Sequence, residues 1–441
     1  MQHHLLPALS GLIPYGSFLY KFMKSYKFFK RLLPDRLYNC NAAQRIYGSV
    51  HDDPMKILIS TDFYTHNLGG VTTSVLALAK GLRSLGHEVK ILTMSENNKT
   101  YLQDDVFAIR SFPAHYAPDM RFSLAMNDPL IERLIEWKPD IIHVQSEGSA
   151  LLFARKIQRR CDIPLIMTCH TDYAYFVFGE ARKRPLIKAI TVISAAAVYH
   201  PAFRIIVPSK KALHFPFLQT FKDRLLVLPN GIDIKHPDRV LSSHEKTVMK
   251  GALGIRHGQK VLTAVTRLSK EKNIQELISF LPALLEKEPE TVLMIVGDGP
   301  YEKNLKELVM KLGLKRHVIF AGRIAADEVW RYYSIADVFV SASLFELHSM
   351  SYLEALSLGL PLLCHDDEAL DGVLTDGYNG MRYRTRKEFV EKARKILQDD
   401  GLRNKMSQAS LERAKDFTCE SFAAKALKIY EDAISDWNRK A

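Results

Sequence analysis

The sequence predicts an α/β protein built from two parallel-sheet units. Three observations predict it. Short apolar runs rich in β-branched residues alternate with stretches of helical periodicity; Gly-bearing loops sit where strand gives way to helix; and the alternation restarts once, just past residue 236.

The first unit opens with MKILIS at 55–60, an apolar strand run. A loop and LGGVTTS at 68–74 follow, then helical spacing over 73–85 that stops at Gly86-His87, then a second strand at 88–94. Strand, Gly loop, helix, strand is the parallel-sheet unit. Gly69 and Gly70 stand where the loop becomes helix, so backbone there can approach a diphosphate closely. A lone Gly-Gly is also an ordinary turn. Helix is predicted at 131–137, strand at 140–144, helix at 149–159 and strand at 164–168. His170 follows that strand directly. Open α/β sheets bind ligands beyond the carboxyl ends of their strands, which suits His170, although a single His after a strand is more often structural. A mixed apolar helix at 188–199, preceded by Arg182-Lys183-Arg184, and strands at 203–208 and 225–228 complete this unit; Pro229-Asn230-Gly231 turns the chain.

After a charged stretch at 236–246, read as irregular, the second unit runs strand 260–265, polar loop 266–272, helix 273–285, strand 291–296 and the turn Gly297-Asp-Gly-Pro300. Helix 301–312, strand 318–321, helix 326–336 and strand 338–341 follow. Arg267 and Lys272, five apart past a strand end, can clamp a diphosphate; scattered charge on a solvated loop is the alternative. The next stretch, SASLFELHSMSYLEALSLGLP at 341–361, carries two carboxylates eight residues apart. Glu346 precedes a helix whose apolar positions are Met350, Leu353, Leu356 and Leu360, and Glu354 is read as about two turns inside it. A helix N-terminus between two carboxylates offers N–H groups to a phosphate and acceptors to sugar hydroxyls. On spacing alone, two such glutamates are more often solvated. A long helix at 417–437 ends the chain, placed to pack across both units.

Composition narrows the function classes. The 441 residues are 47% apolar and 25% charged, ordinary for a soluble globular protein. No apolar run is long enough to span a bilayer, and the N-terminus has no signal-peptide pattern. Cys40, Cys161, Cys169, Cys364 and Cys419 are odd in number and form no C-x-x-C, which fits a reducing cytoplasm without structural zinc. The net charge of +12 is uneven. Residues 1–54 hold seven Lys/Arg against three Asp/Glu and residues 55–235 hold 23 against 16, whereas residues 236–441 are close to balance. Such a first half suits an anionic surface. Residues 16–33 read GSFLYKFMKSYKFFKRLL. Phe22 and Phe29 lie on an apolar helical face, with Lys21, Lys24, Lys27, Lys30 and Arg31 on the other. That is the pattern of a helix lying in a membrane interface, or of an amphipathic helix docked on its own protein. Lysines near anionic lipid contribute on the order of 1 kcal/mol each.

Taken in order, the motifs GGVTTSVLALAKGLRSLGHEVKILT, PDIIHVQSEGSALLFARKI, CHTDY, VPSKKAL, VLPNGID, TRLSKEKNI, VGDGP and E-x7-E followed by LEALSLGLP resemble the retaining glycosyltransferases of family four over about residues 55–430. Within that family they look most like the enzymes that glucosylate diacylglycerol. The resemblance implies the GT-B fold, two doubly wound Rossmann-like domains facing across a cleft, here with an N-terminal amphipathic extension. The extension, 1–54, lies outside the resemblance, which divides the rest into an acceptor- and membrane-facing domain 55–235, a nucleotide-sugar domain 236–415 and a C-terminal helix 416–441. The resemblance implies transfer of glucose from UDP-glucose to diacylglycerol at the inner face of the cell membrane, by a peripheral enzyme that binds anionic lipid, not nucleic acid, and needs no metal or cofactor.

The resemblance also assigns roles. Glu346 holds sugar hydroxyls and Glu354 ribose hydroxyls. Arg267 and Lys272 neutralise the leaving diphosphate, Gly69 and Gly70 supply N–H groups from the other domain, and His170 lies beside the sugar. His348, Ser349 and Met350 complete the donor site. The departures are His348 and Ser349, where the family often has Gly, and Thr266, where Gly usually precedes the arginine. Addition of a second hexose to a glycolipid and a catalytically silent partner subunit are the competing expectations. A nucleic-acid binder ranks last, because charge alone suggests it.

Overall fold

Residues 54–64, 69–114, 117–172, 185–234 and 241–440 are described by the structure, a computed structural model. The extension carrying Lys21, Phe22, Lys24, Lys27, Phe29, Lys30 and Arg31, and the run Arg182, Lys183 and Arg184, lie outside the described residues.

The first domain starts at β1 (Lys56–Ser60), whose last four residues are buried, and continues through α1 (Gly70–Ser84) to β2 (Glu88–Met94). Helix α1 turns Val75, Leu78 and Leu82 inward at helical spacing, and all three are fully buried. Burial of one such side chain contributes about 1.5–3 kcal/mol. Segment 101–122, where no element is expected from the sequence, forms β3 (Tyr101–Gln103), β4 (Val106–Ile109), β5 (Phe112–Ala114) and β6 (Ala117–Phe122). β3 and β5 are three residues long and β6 is mixed in polarity, so none shows a period; β4, the apolar run VFAI, is as legible as β7 and β8. Next come α2 (Pro129–Trp137), β7 (Ile141–Val144), α3 (Ser149–Cys161), β8 (Leu165–Thr168), α4 (Pro185–Tyr199), β9 (Arg204–Val207) and β10 (Leu225–Val227). The sheet order is β10-β9-β8-β7-β1-β2-β4-β3, with every pair parallel except β3 with β4. Strands β7 and β8 are wholly buried, as strands with helices on both faces are. The carboxyl ends of β1, β7 and β8 therefore share one edge, and the loops beyond them carry Asp62, Gln145, Glu147 and His170.

The second domain begins with α5 (Ser243–Ala252), where the sequence reading had irregular chain. The signal was present: Ser242 accepts from the Glu245 N–H while Glu245 accepts from the Ser242 N–H, a capping box. Then follow β11 (Lys260–Val265), α6 (Ile274–Leu285), β12 (Thr291–Val296), α7 (Glu302–Lys311), β13 (Val318–Gly322), a short α8 (Val329–Ser334), β14 (Val338–Ser341), α9 (Met350–Ser357), β15 (Leu362–His365), β16 (Gly380–Tyr383), α10 (Arg386–Gln398) and α11 (Asp400–Ala414). The order β13-β12-β11-β14-β15-β16 is all parallel.

The final helix, α12 (Cys419–Asn438), starts two residues later than the sequence suggested, because Thr418 caps it by accepting from the Ser421 N–H. It lies along α1 of the first domain. Phe422, Ala423, Ala426, Tyr430 and Ala433 join one core with Ile57, Val75 and Leu82. The approach is close: a Cβ on Gly81 would sit 2.1 Å from the Cys419 carbonyl oxygen. The chain thus crosses between domains twice, and the two crossings run together, with the Ile232 N–H donating to Phe417 O at 2.7 Å.

Candidate active site

Two helix N-termini meet across the cleft. Helix α1 starts at Gly70 behind Gly69, and α9 starts at Met350 behind Ser349; neither start is capped by a side chain. A Cβ on Gly70 would lie 3.5 Å from Met350 Cγ, so the two starts are in reach of each other. Helix starts leave N–H groups unpaired and carry the positive end of the dipole. The Ser349 hydroxyl is engaged with that of Ser351 at 2.9 Å.

Glu346 precedes α9. Its carboxylate accepts from Lys272 Nζ at 2.5 Å, and the two side chains are 14% and 25% exposed. Burial works to raise this carboxyl, but the charge and hydrogen bond of Lys272, with Lys211 behind them, outweigh it and hold it below the usual range. Lys272 ends a 3-10 turn (Lys270–Lys272) past β11, which brings together side chains 74 residues apart. Arg267, in the same loop, is exposed, and among the described residues no carboxylate pairs with it. The VGDGP turn fixes its backbone. Gly297, at φ +129°, and Gly299 lie so close to the loop that a Cβ on either would strike Thr266 O or Leu268 O, at 2.0 and 2.4 Å. Leu268 N–H in turn donates to Asp298 O at 2.8 Å.

With α9 beginning at Met350, Glu354 stands one turn inside it, not two. The Tyr333 hydroxyl donates to its carboxylate at 2.7 Å, yet burial pushes the carboxyl up to about 7. His348 is only 7% exposed. Its ring packs on Phe417 at 5.5 Å, beside the crossings, and among the described residues neither ring nitrogen has a partner. Burial lowers it to about 4.

On the opposite lip, His170 Nε2 meets Gln145 Oε1 at 2.7 Å, and burial lowers the ring to about 4. Asp62 caps α3, accepting from the N–H groups of Gly148 and Ala150 and from the Ser146 hydroxyl. Glu147 accepts from the Tyr199 hydroxyl at 2.7 Å, and burial raises it to about 7. Three side chains without a role in the sequence reading act here: Lys211 and Asn230 tie the halves together, and Lys80 ties α1 to the crossing. Lys211 donates to Leu344 O and to Asp367, at 2.7 and 2.6 Å. Asn230 accepts from the Ser74 hydroxyl on α1 and donates to His348 O. Lys80 pairs with Asp233 at 2.6 Å. Lys211 and Asn230 stood inside VPSKKAL and VLPNGID, but a bond across 118–156 residues leaves no local signal.

Two parallel-sheet domains with uncapped helix starts converging between them define a GT-B protein. Its structural neighbours agree. The Anabaena protein HepE, solved in complex with UDP, matches at a TM-score of 0.67 and 18% identity over 86% of this chain and 100% of that one. WaaG, a glycosyltransferase involved in lipopolysaccharide biosynthesis, matches at 0.60 and 19% over 85% and 99%. Residues 68–236 match Glycosyltransferase Family 4 and residues 245–413 match Glycosyl transferases group 1. Among curated relatives, an alpha-monoglucosyldiacylglycerol synthase of Streptococcus pneumoniae is 31% identical over 383 residues, 86% of each chain. One of Acholeplasma laidlawii is 28% identical over 402 residues, 88% of this chain and 99% of that one. The chain belongs to the family-four glycosyltransferases.

Proposed function

We propose that this enzyme transfers glucose from UDP-glucose to diacylglycerol at the cytoplasmic face of a membrane, with retention at the sugar carbon. The observation that carries the reading is the convergence of the α1 and α9 starts beside the Lys272–Glu346 pair. That arrangement offers positive potential to a diphosphate and a fixed carboxylate to sugar hydroxyls. In this reading Gly69, Gly70 and the α9 start hold the diphosphate, with Ser349 and Met350 lending backbone N–H groups and His348 holding the loop. Arg267 and Lys272 neutralise the charge that grows as the bond from sugar carbon to phosphate oxygen breaks. Glu346 orients the sugar, Glu354 the ribose, and His170 meets the sugar from the other domain. The acceptor hydroxyl attacks on the face the phosphate leaves, its oxygen bonds to the sugar carbon, and its proton passes to the departing phosphate oxygen. No protein nucleophile enters, unlike the two-carboxylate glycosidase scheme. Lys272, Arg267 and the helix ends supply the positive charge, so chelators leave turnover unchanged.

The names of the two relatives support the acceptor, and so does the surface. On α4, Leu186, Ala189 and Ile193 are exposed at i, i+3 and i+7, an apolar stripe on one helix face. Phe112, Phe122 and Leu124 are exposed on and beside the β5–β6 hairpin. Among the described residues no helix is long and apolar enough to cross a membrane. The experiment incubates the full chain with radiolabelled UDP-glucose and anionic vesicles containing diacylglycerol. Labelled glucolipid is expected; hydrolysis alone, or transfer only to preformed glucolipid, overturns the reading.

A further inference from the structure

We propose that Gln145, His143 and Tyr430 form a positioning relay that sets which nitrogen of His170 carries the proton, so that the last helix of the chain reaches the reacting sugar through four side chains. This rests on the reading of His170 as the group beside the transferred sugar.

The chain of contacts is continuous. The Tyr430 oxygen lies 2.7 Å from His143 Nδ1. His143 Nε2 receives the Gln145 amide N–H at 3.1 Å and lies 2.7 Å from the Thr168 hydroxyl. Gln145 Oε1 lies 2.7 Å from His170 Nε2. Tyr430 and His143 are 0% and 1% exposed and Gln145 is 3% exposed, so water does not compete for the two inner bonds, while His170 is half-buried at the cleft. His143 sits inside β7, an otherwise apolar strand, where a histidine needs a reason.

Polarity follows from the amide. Gln145 presents its NH2 to His143, so His143 Nε2 is an acceptor and the ring's proton is on Nδ1, donating to Tyr430. Gln145 presents its oxygen to His170, so His170 carries its proton on Nε2 and keeps Nδ1 as its acceptor. Burial keeps both rings neutral, lowering His143 to about 3 and His170 to about 4. A neutral ring of fixed tautomer offers a sugar hydroxyl an acceptor rather than a donor. Reversing the Gln145 amide would reverse that choice, and Tyr430 would then have to donate. The Gln145 amide therefore sets both rings together, and the two tautomers change only in concert, as outer partners fix the tautomer of a ligating histidine.

The test reads the tautomer directly, by nitrogen-15 spectra of histidine-labelled full-length chain without substrate, with H170N and H143N assigning the signals. Wild type is expected to show His170 protonated on Nε2. Gln145→Met is expected to mix the two tautomers and lower kcat about tenfold or more with UDP affinity unchanged. Gln145→Glu keeps an oxygen facing His170 and is expected to restore the Nε2 proton. Tyr430→Phe should show the same mixing at His143, with an unchanged helix signal in circular dichroism. A His170 proton on Nδ1 in wild type, or an unmoved tautomer in Gln145→Met, overturns the relay. The tautomer is read without acceptor, so failure of the relay and failure of the diacylglycerol reading give different results.

Discussion

If Glu354 holds the ribose hydroxyls as proposed, its raised carboxyl gives donor binding a pH dependence that Glu354→Gln must remove. The carboxyl is pushed to about 7 by burial, against an ordinary 4.5, with only the Tyr333 hydroxyl opposing. Ribose hydroxyls donate to a carboxylate far better than to the protonated acid. The ionised fraction rises from roughly a tenth at pH 6 to nine-tenths at pH 8, so UDP-glucose affinity should strengthen about tenfold across that range. Binding at pH 7 should release about half a proton. Calorimetry in buffers of different ionisation heat measures both quantities, and UDP-glucose is the right probe because its diphosphate has no proton to lose there. Glu354→Gln should bind weakly, show a flat profile and release no proton. Stability carries the opposite sign. Between pH 4.5 and 7 the folded carboxyl holds a proton that the unfolded one has released, so stability falls as pH rises. The full shift corresponds to about 3 kcal/mol, less the screening at a part-exposed group. Glu147 also titrates near 7, on the other domain. Proton release that persists in Glu354→Gln would assign the effect to Glu147 and refute the role given to Glu354.

Three further outcomes are expected. Lys272→Met leaves Glu346 buried without its partner and should cost about 2 kcal/mol, between exposed and fully buried pairs; adding Glu346→Gln should recover the stability in thermal melts but not UDP-glucose binding. Gly81→Ala drives a methyl into the Cys419 carbonyl and should cost about 1–3 kcal/mol, read as a lowered Tm of the first domain, whereas Gly254→Ala, with open space around it, should cost less through its φ of +73° alone. Leu186→Asp with Ile193→Asp should weaken sedimentation with anionic vesicles while UDP affinity stays within twofold; parallel loss of both would make that stripe a structural face.

The alternation of strands and helices was legible because parallel strands buried on both faces are continuous apolar runs, as in IIHV of β7 and TVLMIV of β12. The residues proposed for the donor side stand in sequence motifs. What brings them together was not legible: the bond from Lys272 to Glu346 spans 74 residues, and that from His143 to Tyr430 spans 287. No periodicity encodes a register between distant elements. Helix α10 carries a plain signal, Thr385 at its cap and Phe389, Ala393, Ile396 and Leu397 at helical spacing, whereas α11, capped by Asp399, buries mainly small residues, Ala409, Ser410 and Ala414, which leave no apolar stripe to read. Glu354 stands one turn into α9, where the sequence predicts two, because the start of that helix has no capping side chain to mark it.

The docking of α12 has a consequence for how the chain is made. The core that holds Met55, Ile57 and Leu82 is closed by Phe422, Ala426 and Tyr430, more than 300 residues downstream. During synthesis the first domain emerges first, yet one apolar flank stays uncovered until the final helix leaves the ribosome, after the second domain is complete. Chains fold domain by domain as they emerge, and flanks left open in that interval are where aggregation begins. For this protein the domain made first is finished last, so shortening its C-terminus by twenty residues should strand the half of the molecule encoded at the other end.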